Sequence, residues 1–321
     1  MRFPILRGCL VLMAFWLGFA SGEVGGKLAQ AARRSSLPSS FLRQCGSLCR
    51  QRPVRLNRRQ LQRVMNLANR RLTYHQRIAL YSQMFLGTKY HYGPLGEGRR
   101  GKYDRDPTFR LDKVDCLTFL ETVMAMALSK NLRQAKVLMQ KLRYHNGIVK
   151  FAFRNHFAWS QWLKENQRLG AVKVITRHVG GRYVRRGYKR IDENTWKGSR
   201  WRRRWKQRVP AFRLPRSTSY RFIHMKDIHK VARNMPSVAW VGVVAPSSTN
   251  PVIVRHVGMF VWVRGRLHFR HANGKVNVTQ LPIRQYVQRL RRWNRKVSRS
   301  RQMIGFIVAS FHKPRFPSFG R

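Results

Sequence analysis

An α+β fold with a mostly antiparallel sheet is what this sequence predicts, and three observations carry the prediction. The first half places apolar residues at helical spacing. The second half holds short alternating segments separated by turn residues. Helices come as a block before the strands rather than alternating with them, which separates this class from a parallel α/β sheet. The chain has 321 residues, enough for one large or two small domains with a real core.

The first residues resemble a secretory signal. MRFPILRG carries two arginines, CLVLMAFWLGFA (9–20) is apolar, and Ala20-Ser21-Gly22 resembles a small-residue cleavage site. The apolar run is shorter than a membrane span of about 20 residues, although an uncleaved anchor is the alternative. Cys9 lies at the start of that run rather than after it, against a lipoprotein anchor. Residues 1–22 are therefore assigned to a signal peptide, and an exported protein, periplasmic or secreted, is expected. A polar, Ser- and Arg-containing stretch, 23–56, follows as a basic linker. The main domain is assigned to 57–312 and a tail to 313–321.

Within the domain, LNRRQLQRVMNLANRRLTYHQRIALYSQMFLG (56–87) predicts two helices before a Gly turn. The Gly- and Pro-rich segment 88–107 predicts a loop. Asp115 is a good N-cap for DCLTFLETVMAMAL (115–128), a long apolar helix. A basic helix (130–142) leads into the YHNG turn. FAFRNHFAWSQWLKENQRLG (151–170) starts extended and becomes an amphipathic helix, with Trp159, Trp162 and Leu163 on one face and Gly170 as the stop. Residues 182–209 form an insert in which arginines alternate with tyrosines and tryptophans. Strands follow at 238–245, 256–263, 266–272, 275–281 and 304–310. No internal repeat is present.

The charge is extreme, with 67 Lys+Arg against 11 Asp+Glu and a net of +56. Such self-repulsion suits polyanionic surroundings, although a general basic bias explains it equally well. Six of the acids (Glu97, Asp104, Asp106, Asp112, Asp115, Glu121) cluster around Cys116. Removing the signal leaves Cys45, Cys49 and Cys116. In an oxidising space Cys45 and Cys49 are close enough to pair, which leaves Cys116 free. The alternatives are that both stay reduced or that one bridges to Cys116. No metal site is expected, because no second cysteine or histidine pair has ligand spacing. No cofactor is implied.

Cys116 falls on the first helical turn, where unpaired N–H groups and the macrodipole favour a thiolate. A base is available in RHVGMFVWV (255–263), where strand alternation puts His256 on the face of Gly258. His271 sits in the next strand. A hairpin around Arg264-Gly265 brings both imidazoles to one side of the sheet, with His256 as base and His271 behind it. A helix-borne cysteine beside strand-borne histidines is the arrangement a papain-like thiol hydrolase needs. A core cysteine with two satisfied histidines is the ordinary alternative.

From about 74 to 310 the chain resembles the N-acetylmuramoyl-L-alanine amidase-like family of NlpC-type, papain-like cysteine hydrolases. The matching segments, in order, are RIALYSQMFLGTKY, DCLTFLETVMAMAL, LRYHNGIV, RNHFAWSQWLKEN, RHVGMFV, LHFRHAN and IGFIVAS. The resemblance implies a papain-like fold with Cys116 as nucleophile, His256 as general base and His271 as the orienting residue. Tyr90 matches the tyrosine of the family's FLGTxY motif, which implies an oxyanion donor; a packing role at the turn is the alternative. Arg154, Asn155 and His156 match a segment that resembles part of a substrate groove. There Arg154 would fork onto a stem-peptide carboxylate and Trp159 would offer a flat face to a sugar or peptide. A surface arginine and a core tryptophan are the plain alternatives. Glu121 suggests a structural hydrogen bond. An inserted Gly96 puts a substrate contact of Glu97 in doubt.

The function expected is therefore an exported cysteine amidase acting on peptidoglycan or muropeptides, at the amide between N-acetylmuramic acid and L-alanine. A peptide-stem endopeptidase is the runner-up. A non-catalytic polyanion-binding module is the rival from another class, with the Arg/aromatic stretch 182–209 meeting a polyanion or an anionic membrane surface. Export argues against a specific nucleic-acid target.

Overall fold

A computed structural model describes residues 37–192, 210, 213–245 and 251–314. The expected signal peptide, residues 23–36 of the expected linker, residues 193–209 of the Arg/Trp-rich insert and most of the C-terminal tail lie outside the described residues.

The described chain begins with helix α1 (Ser39–Cys45), and a disulfide joins Cys45 to Cys49. Cys116 is the free cysteine. Phe41, Cys45, Cys49 and Leu56 are all buried in the main core. The linker expected over 23–56 is thus corrected for 37–56, because four apolar side chains there anchor the segment. Helices α2 (Arg58–Arg71) and α3 (Tyr74–Met84) each start with a capping box, Asn57 with Gln60 and Thr73 with Gln76.

Strand β1 (Lys89–Tyr90) pairs in parallel with β2 (Lys113–Val114), in the register Tyr90↔Val114. The loop between them returns the chain to the start of helix α4 (Cys116–Leu128), where every residue from Thr118 to Ala127 is buried. Helix α5 (Leu132–Arg143) packs beside it. The next helical stretch differs from expectation: a wide turn at Ala158–Leu163 runs into helix α6 (Lys164–Arg168). Strand β3 (Val172–Val174) and helix α7 (Thr176–Gly180) follow.

Eight strands form the main sheet: β3, β4 (Val184–Lys189), β5 (Thr218–His224), β6 (Val238–Val244), β7 (Val254–Val263), β8 (Arg266–Asn273), β9 (Asn277–Pro282) and β10 (Gly305–Phe311). The order is β4-β5-β10-β6-β7-β8-β9, with β3 on β10, and every pairing in it is antiparallel. The expected α+β class and mostly antiparallel sheet are what the structure shows. Strand β4 falls inside 182–209, so the first third of the insert is an edge strand rather than a loop.

Helix α8 (Ile283–Arg295), between β9 and β10, was not expected. Its buried residues Ile283, Tyr286, Val287 and Leu290 make one stripe among arginines. It closes the second face of the sheet with Phe260, Phe269 and Phe306, while Val257, Met259 and Val261 face the helices α3 and α4 side.

Candidate active site

The β7–β8 hairpin turns through Arg264 and Gly265, both at positive φ (47° and 72°), which suits a tight two-residue turn. Its ladder runs from Val263↔Arg266 to Met259↔Arg270. Beyond that rung the two strands carry His256 and His271 without pairing to each other. His256 Nε2 lies 2.8 Å from His271 Nδ1. Gly258 makes this possible: a Cβ there would stand 2.6 Å from the Phe269 ring and 2.7 Å from the Arg270 carbonyl.

Cys116 arrives at this opening from the other face. Asp115 caps the helix, with Oδ1 accepting from Leu117 N (3.0 Å) and Thr118 N (2.7 Å), and Oδ2 from Gly93 N (3.2 Å). The backbone amides of Val257, Leu117 and Cys116 itself lie near enough to the sulfur to favour its charged form. Val257 adjoins His256 in sequence, so the structure brings Cys116, His256 and His271 to one place. His256 spends Nε2 on His271, so Nδ1 is the ring nitrogen left over for another partner.

The protonation states differ from the expected thiolate. Burial, and after it the Asp115 carboxylate, pushes the Cys116 thiol up to about 12, outweighing the three N–H donors. Burial pushes the His256 imidazole down to about 4. His271 is also held well below its ordinary value, by burial and then by His256 and Arg289. The resting pair is a neutral thiol beside a neutral imidazole.

Tyr90 stands next to the nucleophile turn through the β1–β2 register, and its backbone N–H donates to Asn277 Oδ1 (3.1 Å). Burial, then the Cys116 and Asp115 charges, pushes its phenol up to about 12, so it is a hydroxyl donor at neutral pH. Sequence reasoning missed Tyr286. Its ring meets His271 edge-on (5.3 Å between centroids) and Phe269 (4.4 Å). Its phenol is held up first by burial and then by Cys116. Only the helical spacing Ile283–Tyr286–Val287–Leu290 could have found it.

The expected groove residues are placed differently. Arg154 is buried and its guanidinium binds Asp104 (2.6 Å), so it does not reach out to a carboxylate; internal charge pairing has taken its fork. Asn155 is buried and accepts from Arg213 Nη2 (2.8 Å). His156 Nε2 contacts the Phe151 carbonyl (2.8 Å), and burial holds its imidazole well below the usual value. These three brace the loop rather than face a cleft. Trp159 is half-buried, edge-on to Tyr220, and lines a small hollow of about 240 Å³ with Arg177 and Arg186.

Glu121, one and a half turns past the cysteine, accepts from Arg143 (2.8 Å) and from the Trp162 indole (2.9 Å). Arg143 also donates to the Leu95 carbonyl (2.8 Å) and Tyr144 to that of Gly96 (2.9 Å). Glu97 accepts from the backbone of Tyr103, Asp104 and Phe151. The acids around the cysteine therefore fix the loop that leads to it. No group of His, Cys, Asp and Glu suited to a metal occurs among the described residues.

A protein from Legionella pneumophila has the same fold, with a TM-score of 0.65 at 20% identity over 85% of this chain and 96% of its own. An N-acetylmuramoyl-L-alanine amidase from Bacteroides uniformis is similar with a TM-score of 0.53 at 16% identity, over 72% and 96%. No curated protein matches the chain. The sequence model of the N-acetylmuramoyl-L-alanine amidase-like proteins matches residues 80–292, which takes in Tyr90, Cys116, His256, His271 and Tyr286. With two thirds of its length inside that match, the chain belongs to the N-acetylmuramoyl-L-alanine amidase-like family.

Proposed function

We propose that the protein is an exported cysteine amidase of the papain-like, NlpC type. It hydrolyses peptidoglycan or muropeptides at the amide between N-acetylmuramic acid and L-alanine. The observation that carries this reading is the meeting of a free thiol with the His256–His271 pair, the sulfur lying by the amide next to His256. Family membership supplies the substrate class.

In this mechanism His256 Nδ1 takes the thiol proton as the sulfur attacks the amide carbonyl. His271 Nδ1 stabilises the imidazolium by accepting from His256 Nε2. The carbonyl oxygen becomes an oxyanion that the Cys116 N–H and the Tyr90 hydroxyl stabilise. Collapse expels the amine, which takes the proton from His256, and a thioester remains. Water, deprotonated by His256, then attacks the thioester and returns the thiol.

Mass spectrometry of products from defined muropeptides tests both parts. The expected result is loss of the L-alanine-linked peptide from the muramic acid lactyl group by wild type and none by Cys116→Ala. Equal product from the two proteins would refute the thiol mechanism. Cleavage within the peptide stem would move the bond to the runner-up.

A further inference from the structure

The α2 helix carries a stripe that the amidase reading does not use. Arg59, Arg63 and Arg70, with Gln62 and Asn66, line a concave groove of about 870 Å³, and Arg58 at the start of the helix flanks it. All four arginines are exposed, and no acidic residue lines the groove. None of the four is in an ion pair or a side-chain hydrogen bond among the described residues, whereas Arg77, Arg110, Arg143 and Arg154 spend theirs internally. Repulsion among four such cations disfavours the empty groove, and an anion relieves it.

Spacing narrows the ligand. Positions 59, 63 and 70 fall within about 40° of one another around the helix, and the rise of about 1.5 Å per residue separates them by roughly 6 and 10 Å along it. One small anion can bridge neighbouring arginines but does not meet all three, since positions 59 and 70 stand about 16 Å apart along the helix. A linear chain of anionic groups at intervals of about 6 Å meets successive guanidinium forks, each of which matches a phosphate in geometry. A concave groove also takes a strand better than a flat bilayer face.

The groove stands apart from the catalytic centre. Gln62 donates to the Lys130 carbonyl (2.9 Å) and Asn69 to that of Ser129 (3.0 Å), so α2 is tied to the C-terminal end of α4. Cys116 is at the other end of that helix, about 20 Å away for 13 residues. We propose that this groove is a binding site for a linear phosphodiester polymer, an anchoring site that holds the protein on an anionic matrix while the distant thiol works.

The test is fluorescence anisotropy with labelled synthetic poly(glycerol phosphate), on wild type and on two triple variants of equal charge. The groove variant is Arg59→Gln, Arg63→Gln, Arg70→Gln; the control is Arg284→Gln, Arg292→Gln, Arg295→Gln on the exposed side of α8. The expected result is a loss of about tenfold or more for the groove variant alone, with the slope of log K against log salt shallower by roughly 2. Both variants should keep wild-type melting temperatures and muropeptide turnover. Equal weakening of the two would overturn the site, since net charge alone would then explain binding. An unaffected groove variant would overturn it as well. Tight binding to anionic phospholipid vesicles that the polymer does not displace would exclude a polymer ligand.

Discussion

Burial, followed by the Asp115 carboxylate, holds the Cys116 proton on against three backbone donors, and burial keeps His256 neutral. A neutral pair transfers its proton only as the sulfur attacks. Alkylation of the resting protein by iodoacetamide should therefore rise about tenfold per pH unit from about pH 6 to 9, as for a thiol that ionises late. A plateau between pH 5 and 8 would mean a thiolate–imidazolium pair and would overturn the neutral one. Tyr90→Phe removes only the hydroxyl that the proposed mechanism assigns to the developing oxyanion. Its expected cost is about 10²-fold in kcat with KM little changed, read from muropeptide kinetics. Wild-type kcat in that variant would return Tyr90 to a packing role.

At the scale of elements, the hairpin end and the nucleophile helix must keep their positions together. Gly258→Ala would drive a methyl into the Phe269 ring and the Arg270 carbonyl, forcing β7 and β8 apart next to the 2.8 Å histidine contact. Turnover should fall more than tenfold, and the ring resonances of His256 and His271 should shift in NMR spectra; unchanged spectra and activity would show that the hairpin end tolerates the methyl. Glu121 tests the other element. Glu121→Gln removes the anion opposite buried Arg143, and breaking a buried pair in this way costs about 3–5 kcal/mol. Urea unfolding reads that loss directly. A change below about 1 kcal/mol would show that Arg143 finds its balance elsewhere, for instance at the Leu95 carbonyl.

For the whole molecule, buried neutral histidines set a limit on acid stability. The unfolded chain takes up a proton on His256 near its ordinary 6.5, whereas the folded chain resists until about 4. Falling pH therefore favours the unfolded state across that window, by on the order of 2–3 kcal/mol at pH 4 for this one group. Below about 4 the contribution levels off. Unfolding free energies measured from pH 7 to 4 should decline steeply for wild type and less steeply for His256→Gln. Parallel declines would assign the acid sensitivity to other groups.

The same scales divide what was legible from what was not. Caps and periods are local, so the helices at 58–71, 74–84 and 116–128, the hairpin at Arg264-Gly265 and the five strands from 238 onward were readable from residues a few positions apart. The helix at 283–295 was hidden because its apolar stripe is thin among arginines, and the segment 37–56 because its polar composition masked four buried anchors. By itself the sequence determined the class of fold, the family and the three residues that meet at the candidate site, since residue type and order are enough for these. Only tertiary structure decided that Cys116 rests protonated, that Arg154 is turned inward onto Asp104 and that Tyr286 stands behind His271. The reason is physical: desolvation and charge pairing depend on which distant segments shut out water around a group, and no local pattern records that.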